Sequence, residues 1–288
     1  MDIWRTIGWN QITLRCPEQW DAIISGDTHL LFEDDFRPVL EVRWQRKEKH
    51  TKQAADSVLR TLARDSDLLV MDSLPVSWKK LKTTFDIKLL TDPQSRELKA
   101  ALLTCNTCET TFLLYFFKDF AKQHHWDLTR VISSISCHGH KEQKILWSLQ
   151  DFQVSLPASF KLGSYSFAAG LTRLTFTDKS LTMHLCRLAS ASQRLQNSTL
   201  TDLMTRLGDI MIPEEEILVE EHLVSHCSYP SITTQILSRF KRKSPFHYVV
   251  LRHHPEYDRL SGLFFFDKKP LPEELLTTIL DSYEIFSL

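Results

Sequence analysis

The chain reads FQVSLP from Phe152 to Pro157 and QITLRCP from Gln11 to Pro17, so Pro157 lies 140 residues after Pro17. In both runs apolar residues alternate with polar ones until a proline intervenes: Phe152, Val154 and Leu156 in one, Ile12, Leu14 and Cys16 in the other. Period-two alternation that stops at a residue without a backbone donor reads as a half-buried strand. Trp20 and Phe160 extend the match beyond each proline. A second pair of alternating segments follows at nearly the same offset, with Leu40, Val42 and Trp44 against Leu181, Met183 and Leu185. Each leads into a polar stretch with apolar residues at helical spacing. These are Ala54, Ala55, Val58, Leu59 and Leu62 in the first half and Leu195, Leu200, Leu203 and Leu207 in the second, the latter stopping at Gly208 as a C-cap would.

A third block matches with a longer offset, as an insertion in the second half requires. TTFLLYFF (Thr110 to Phe117) corresponds to RLSGLFFF (Arg259 to Phe266), and each follows an apolar strand and a polar tip, CNTCE or HHPEYD. That is a hairpin signature. Helices are expected beyond each hairpin, over Asp127 to Ser136 and Pro272 to Ser282, the second opening with a proline and two acids. The sequence therefore predicts an α+β fold of two tandem duplicated antiparallel-sheet domains with covering helices, residues 1–143 and 144–288. Ile12, Leu14, Phe112, Leu114, Phe116, Phe152, Val154, Phe264 and Phe266 are its expected core.

The segment SLQDFQVSLPASF (Ser148 to Phe160), an F-x-V-x-L-P strand followed by an aromatic residue, resembles the opening strand of Mog1/PsbP-like domains. NQITLRCPEQW (Asn10 to Trp20) is similar but places Cys16 before the proline. The resemblance implies a binding or accessory module and carries no catalytic residue with it.

Composition narrows the function classes. Of 288 residues 42% are hydrophobic and 25% charged, which suits a folded globular chain. Its apolar runs are far shorter than the ~20 residues needed to cross a bilayer, and its opening residues lack an export signal. With no membrane segment and no oxidising destination, cytoplasmic thiols are the expectation for Cys16, Cys105, Cys108, Cys137, Cys186 and Cys227. The first 145 residues carry 21 basic and 20 acidic side chains, the remainder 14 and 16, so neither half has the charge excess of a nucleic-acid binder. The basic stretches RWQRKEKHTK (Arg43 to Lys52) and RFKRK (Arg239 to Lys243) read as solvated faces. Seven glycines leave no GxGxxG, GxxxxGK or GxSxG sequence for phosphates or a nucleophile elbow. The seven tryptophans read mostly as core residues.

The sharpest chemical pattern is Cys105-Asn106-Thr107-Cys108, whose thiols could share one zinc ion with Cys137 and His140. A redox role is disfavoured because Cys108 opens a strand, without the helix N-terminus that activates a thiol. His222 and His226 lack the HExxH order, and Cys227 beside His226 would point to the opposite face of a strand. Strand geometry also separates the two halves of the Cys/His set. Eight residues at ~3.3 Å each carry the chain away from the tip, and a ten-residue helix at 1.5 Å each returns only part of that distance, so the two motifs miss each other unless the loop Lys118 to Trp126 turns back. The expectation is thus that no cofactor is needed, with zinc as the alternative. The reading reached from sequence is a non-enzymatic binding protein that takes a protein or small-molecule partner in a cleft between homologous repeats. Its alternative is a metal- or thiol-dependent enzyme using Cys105, Cys108 and nearby histidines.

Overall fold

A computed structural model describes residues 3–46, 69–71, 74–92, 94, 97–117, 128–138, 143–228, 230–231, 233, 235 and 244–287. The chain forms two compact units, residues 1–150 and 151–287.

The first unit opens with a hairpin of β1 (Trp4–Trp9) and β2 (Ile12–Pro17), and β1 pairs on its other side with β10 (Lys144–Leu149). Asn10 and Gln11 take φ values of 47° and 67° in the turn, the left-handed pair that matches the twist of a two-residue hairpin. Gly8 is required here, because a Cβ at that position would lie 2.5 Å from the Leu146 carbonyl oxygen. The remaining strands are β3 (Trp20–Gly26), β4 (His29–Asp34), β5 (Arg37–Gln45), β6 (Leu69–Met71), β7 (Phe85–Thr91), β8 (Leu98–Cys105) and β9 (Thr111–Phe116). They make one antiparallel sheet in the order β3-β4-β5-β9-β8-β7-β6. Helix α1 (Leu128–Ser133) packs on β2 and on the 3-10 helix Val76–Thr83.

The second unit contains β11 (Phe152–Pro157), β12 (Lys161–Ala168), β13 (Leu171–Asp178), β14 (Leu181–Ala189), β15 (Leu218–Glu220), β16 (Leu223–Cys227), β17 (Phe246–His254), β18 (Arg259–Asp267) and β19 (Glu284–Ile285). Its large sheet runs β12-β13-β14-β18-β17-β16-β15, strand for strand the connection order of the first. Helices α2 (Ala191–Leu195), α3 (Leu200–Gly208) and α4 (Glu273–Ser282) complete it. The expected long helix after β14 is interrupted: Thr199 caps α3 by accepting from the Asp202 N–H while the Asp202 carboxylate accepts from the Thr199 N–H. Leu203 and Met204 then pack against Cys186, Leu188, Val249, Leu251 and Phe264.

The helix-covered α+β expectation is wrong: strand accounts for 54% of the described residues, and antiparallel sheets dominate both units. The cause is local. Residues 20–34 and 161–178, where no strand is expected, pair as β3–β4 and β12–β13; β3, β4 and β13 bury one face and leave the other wet, and β12 buries neither. The four described helices, of six, five, nine and ten residues, cover only patches. Central strands β8, β9 and β18 are nevertheless buried on both faces.

Eight of the nine expected core residues are buried, among them Leu14 at 1% exposure and Val154 at 0%. Phe266 is only partly buried, lying 5.7 Å from the His184 ring and 6.3 Å from His247. Trp9 and Trp147 meet edge to face at 5.4 Å in the first unit, and the Trp9 indole donates to the Gly26 carbonyl at 3.1 Å. The helix expected over Ala54 to Leu62, residues 47–52 and 239–243 of the basic stretches, His124, His125, Trp126 and His140 lie outside the described residues. No described helix is long and apolar enough to cross a membrane.

Candidate metal centre

Strand β8 ends at Cys105 and β9 begins at Thr111, so the C-x2-C sequence occupies the tip of a hairpin. The tip is closed by the Cys105 N–H donating to the Thr110 carbonyl at 2.9 Å and the Glu109 N–H donating to the Cys105 carbonyl at 3.0 Å. Glu109 reverses the chain with φ 56°. The Thr107 N–H points at Cys105 Sγ, 3.4 Å away. Asn106 fixes the tip to the end of the 3-10 helix: its N–H donates to the Thr84 carbonyl at 3.0 Å and its amide to Lys82 at 3.2 Å.

The other ligands arrive from the segment after α1. Ser134 Oγ accepts from the Arg15 N–H at 2.8 Å and donates to the Val131 carbonyl at 2.6 Å, which turns the chain out of the helix. Ser136 then pairs with Thr13 of β2 through two backbone hydrogen bonds of 2.8 and 3.0 Å. Cys137 and His138 follow at once.

Cys105, Cys108, Cys137 and His138 thus converge, each offering one ligand atom within 4.8 Å of the others. Cys108 Sγ is 3.3 Å from Cys137 Sγ, and Cys105 Sγ is 3.2 Å from His138 Nε2. Tetrahedral zinc with bonds of ~2.3 Å to sulfur and ~2.0 Å to nitrogen needs ligand atoms ~3.5–3.8 Å apart. Both of these distances fall slightly short of that value, so a small opening of the two pairs would satisfy the ion. Cys105 and Cys137 are each 1% exposed, whereas Cys108 and His138 are partly exposed.

The expectation that the two halves of the set miss each other is therefore corrected. Counting strand and helix rise gave only path length; the pairing of Ser136 with Thr13 supplies the return. His138 takes the place expected of His140, which lies outside the described residues.

The electrostatics suit a cation. Burial opposes ionisation of Cys108, but hydrogen bonds from Thr110 and the neighbouring thiols outweigh it and hold that thiol below its ordinary value. Burial and the proximity of Cys108 and Cys105 push Cys137 well above the ordinary range. One thiolate thus opposes the next unless a positive charge joins them. Arg46, just beyond β5, supplies part of that charge. Burial lowers its pKa while the charges of Cys108 and Cys137 raise it, and its guanidinium is held by the Gln11 side chain and the Asn10 carbonyl.

The other sequence candidates do not assemble this way. Cys16 and Cys186 are buried, and burial pushes each up to about 11. His222 lies in the turn after β15 and His226 in β16, so they do not share a helix face. His226 Nδ1 is 3.0 Å from the Glu216 carbonyl oxygen, and its ring stacks 5.0 Å from His247.

No known family matches the chain, and no protein of known function is significantly similar in sequence. Three solved structures show distant likenesses, each 10% identical. "Crystal structure of MucB in complex with MucA(peri)" has a TM-score of 0.25 over 96% of this chain and 82% of that one. The Pseudomonas aeruginosa MucA/MucB complex gives 0.25 over 96% and 83%, and MucB alone 0.21 over 95% and 81%. Likeness at this level fixes neither fold nor function.

Proposed function

We propose that the chain is a non-enzymatic binding protein whose first unit is clasped by a structural zinc ion on Cys105, Cys108, Cys137 and His138. The supporting observation is the convergence of three thiols and an imidazole from two separate segments. A catalytic zinc keeps one position for water or substrate, whereas four protein ligands close the sphere. This favours an accessory role over the thiol- or metal-dependent enzyme. Three thiolates and one dication leave one negative charge, which Arg46 faces. Zinc–thiolate chemistry suits a reducing compartment, the cytoplasm in this reading, and the partner is a protein or small molecule.

The test is metal analysis of the full chain purified with reductant, followed by cobalt substitution. One zinc per chain is expected, lost in Cys137→Ser and His138→Ala and kept in His140→Ala. Cobalt should give a tetrahedral visible spectrum that small anions leave unchanged. A metal-free protein whose melting ignores chelators would overturn the zinc, and an anion-shifted cobalt spectrum would overturn the closed, non-catalytic site.

A further inference from the structure

The four ligands are not equivalent. Cys105 is buried, engaged by the Thr107 N–H at 3.4 Å, and set 3.2 Å from His138 Nε2. Cys137 is buried as well. Cys108 alone among the three thiols of the cluster is partly exposed, and its Sγ already stands 3.3 Å from Cys137 Sγ. A reagent from solvent therefore meets Cys108 first, and the sulfur best placed to answer is Cys137.

We propose that Cys108 is a modification site: a hydroperoxide oxidises it, and it then closes a disulfide with Cys137 and releases the metal. This rests on the zinc reading above. The Cys108 thiolate attacks the peroxide O–O bond. A sulfenic acid forms, and the leaving oxygen takes protons as water or alcohol. Cys137 sulfur then attacks Cys108 sulfur, the S–O bond breaks, and the hydroxyl leaves as a second water. Two thiolates lose two electrons in all, one peroxide gains them, and two protons are taken up. Zinc is left with Cys105 and His138, too few ligands to retain it.

The alternative disulfide, Cys105 with Cys108, would link both ends of one tight turn whose hydrogen bonds hold the tip closed. The Cys108–Cys137 link instead joins two segments already pinned side by side by the Ser136–Thr13 pair. Oxidation would preserve the fold of this end of the unit while discharging its ion.

Zinc-loaded full chain would be titrated with hydrogen peroxide, with released zinc read by a chelating dye and disulfides by peptide mapping. The expected result is one zinc released per Cys108–Cys137 disulfide, reversed by a thiol reductant plus zinc. Cys108→His should keep the metal and lose peroxide sensitivity. Should that variant fail to fold, Cys105→His should still release zinc with the same linkage. Zinc retained under peroxide, a Cys105–Cys108 disulfide, or oxidation of half-exposed Cys227 ahead of Cys108 would overturn the proposal. A chain that never holds zinc overturns the parent reading instead, and the disulfide map then still decides the pairing.

Discussion

Two hairpin tips occupy the same place in the two units and are fastened by different chemistry. Glu109 at the β8–β9 tip and Asp258 at the β17–β18 tip both adopt left-handed φ, 56° and 51°. Beyond each hairpin a helix ends in the same serine hook: Ser134 Oγ accepts from the Arg15 N–H at 2.8 Å, and Ser282 Oγ from the Ser155 N–H at 3.2 Å. The chain then pairs with the opening strand, Ser136 with Thr13 and Glu284 with Gln153. From there the units part. The first presents Cys137 and His138 to the thiols of its tip. The second presents Ile285 and Phe286, and its tip is held by carboxylates: Asp258 accepts from Ser192 N–H and Oγ at 2.7 Å, and Arg259 donates to Asp151 at 2.6 Å. Asp151, 2% exposed, also takes a bidentate contact from buried Arg187. One backbone frame therefore closes with sulfur and nitrogen in one unit and with carboxylate and guanidinium in the other. The frame itself does not demand a metal.

The largest effect should come from breaking the ionic clasp. Asp151→Ala leaves Arg187 buried without its carboxylate, and removing one member of a buried pair costs about 3–5 kcal/mol. Urea unfolding should show the second unit melting early while the first keeps its midpoint. Equal shifts in both would mean that the two closures are not independent.

Next comes the strand that opens each frame. Leu14→Ala and Val154→Ala delete side chains at matching positions, 1% and 0% exposed. Lost transfer energy plus a cavity should cost about 2–5 kcal/mol for the leucine and somewhat less for the valine. Unchanged denaturant midpoints would show that these faces are not core.

The serine hooks sharpen the comparison further. Ser134→Ala and Ser282→Ala should each cost about 1 kcal/mol, because each leaves a strand N–H without its acceptor. Costs that differ several-fold would break the equivalence of the two helix ends.

The smallest effect is the pH dependence that His247 gives the second unit. Burial, with the neighbouring His226, lowers His247 to about 4. Its unfolded value is near 6.5, so the unfolded chain binds the proton first as pH falls. The stabilisation is complete above that unfolded value and is lost between pH 6.5 and about 4. Screening of this half-exposed ring keeps the loss to roughly 1 kcal/mol or less. His247→Gln should flatten the acid limb of the stability profile; an unchanged limb assigns it elsewhere.

How much of this is legible in the sequence depends on how local the signal is. Strands β2 and β11, the hairpins around Cys105 and His254, and helix α4 all carry their pattern within a dozen residues, and they form where read. Strands β3, β4, β12 and β13 do not announce themselves, since exposed positions such as Lys161 and Ser166 blur the alternation. At the metal centre, Cys105, Cys108 and Cys137 can be picked out by residue type. Their meeting cannot, because it hangs on the pairing of Ser136 with Thr13, more than a hundred residues away in the chain. Choosing His138 over His140 depends on where that bridge stops, which no spacing rule encodes.

The large sheets guard their borders in two ways. In the second unit one outer strand, β15, is only three residues long, with Leu218 and Val219 exposed. The opposite outer strand, β3 or β12, breaks its register at a bulge, near Gly26 or Gly163. Fibril growth needs a flat, continuous template of about six residues on which further chains can stack. A three-residue border is too brief for that, and a bulged border is too twisted. The sheet of the second unit thus carries its own protection against polymerisation, and lengthening β15 or straightening β12 is the change that would turn it sticky.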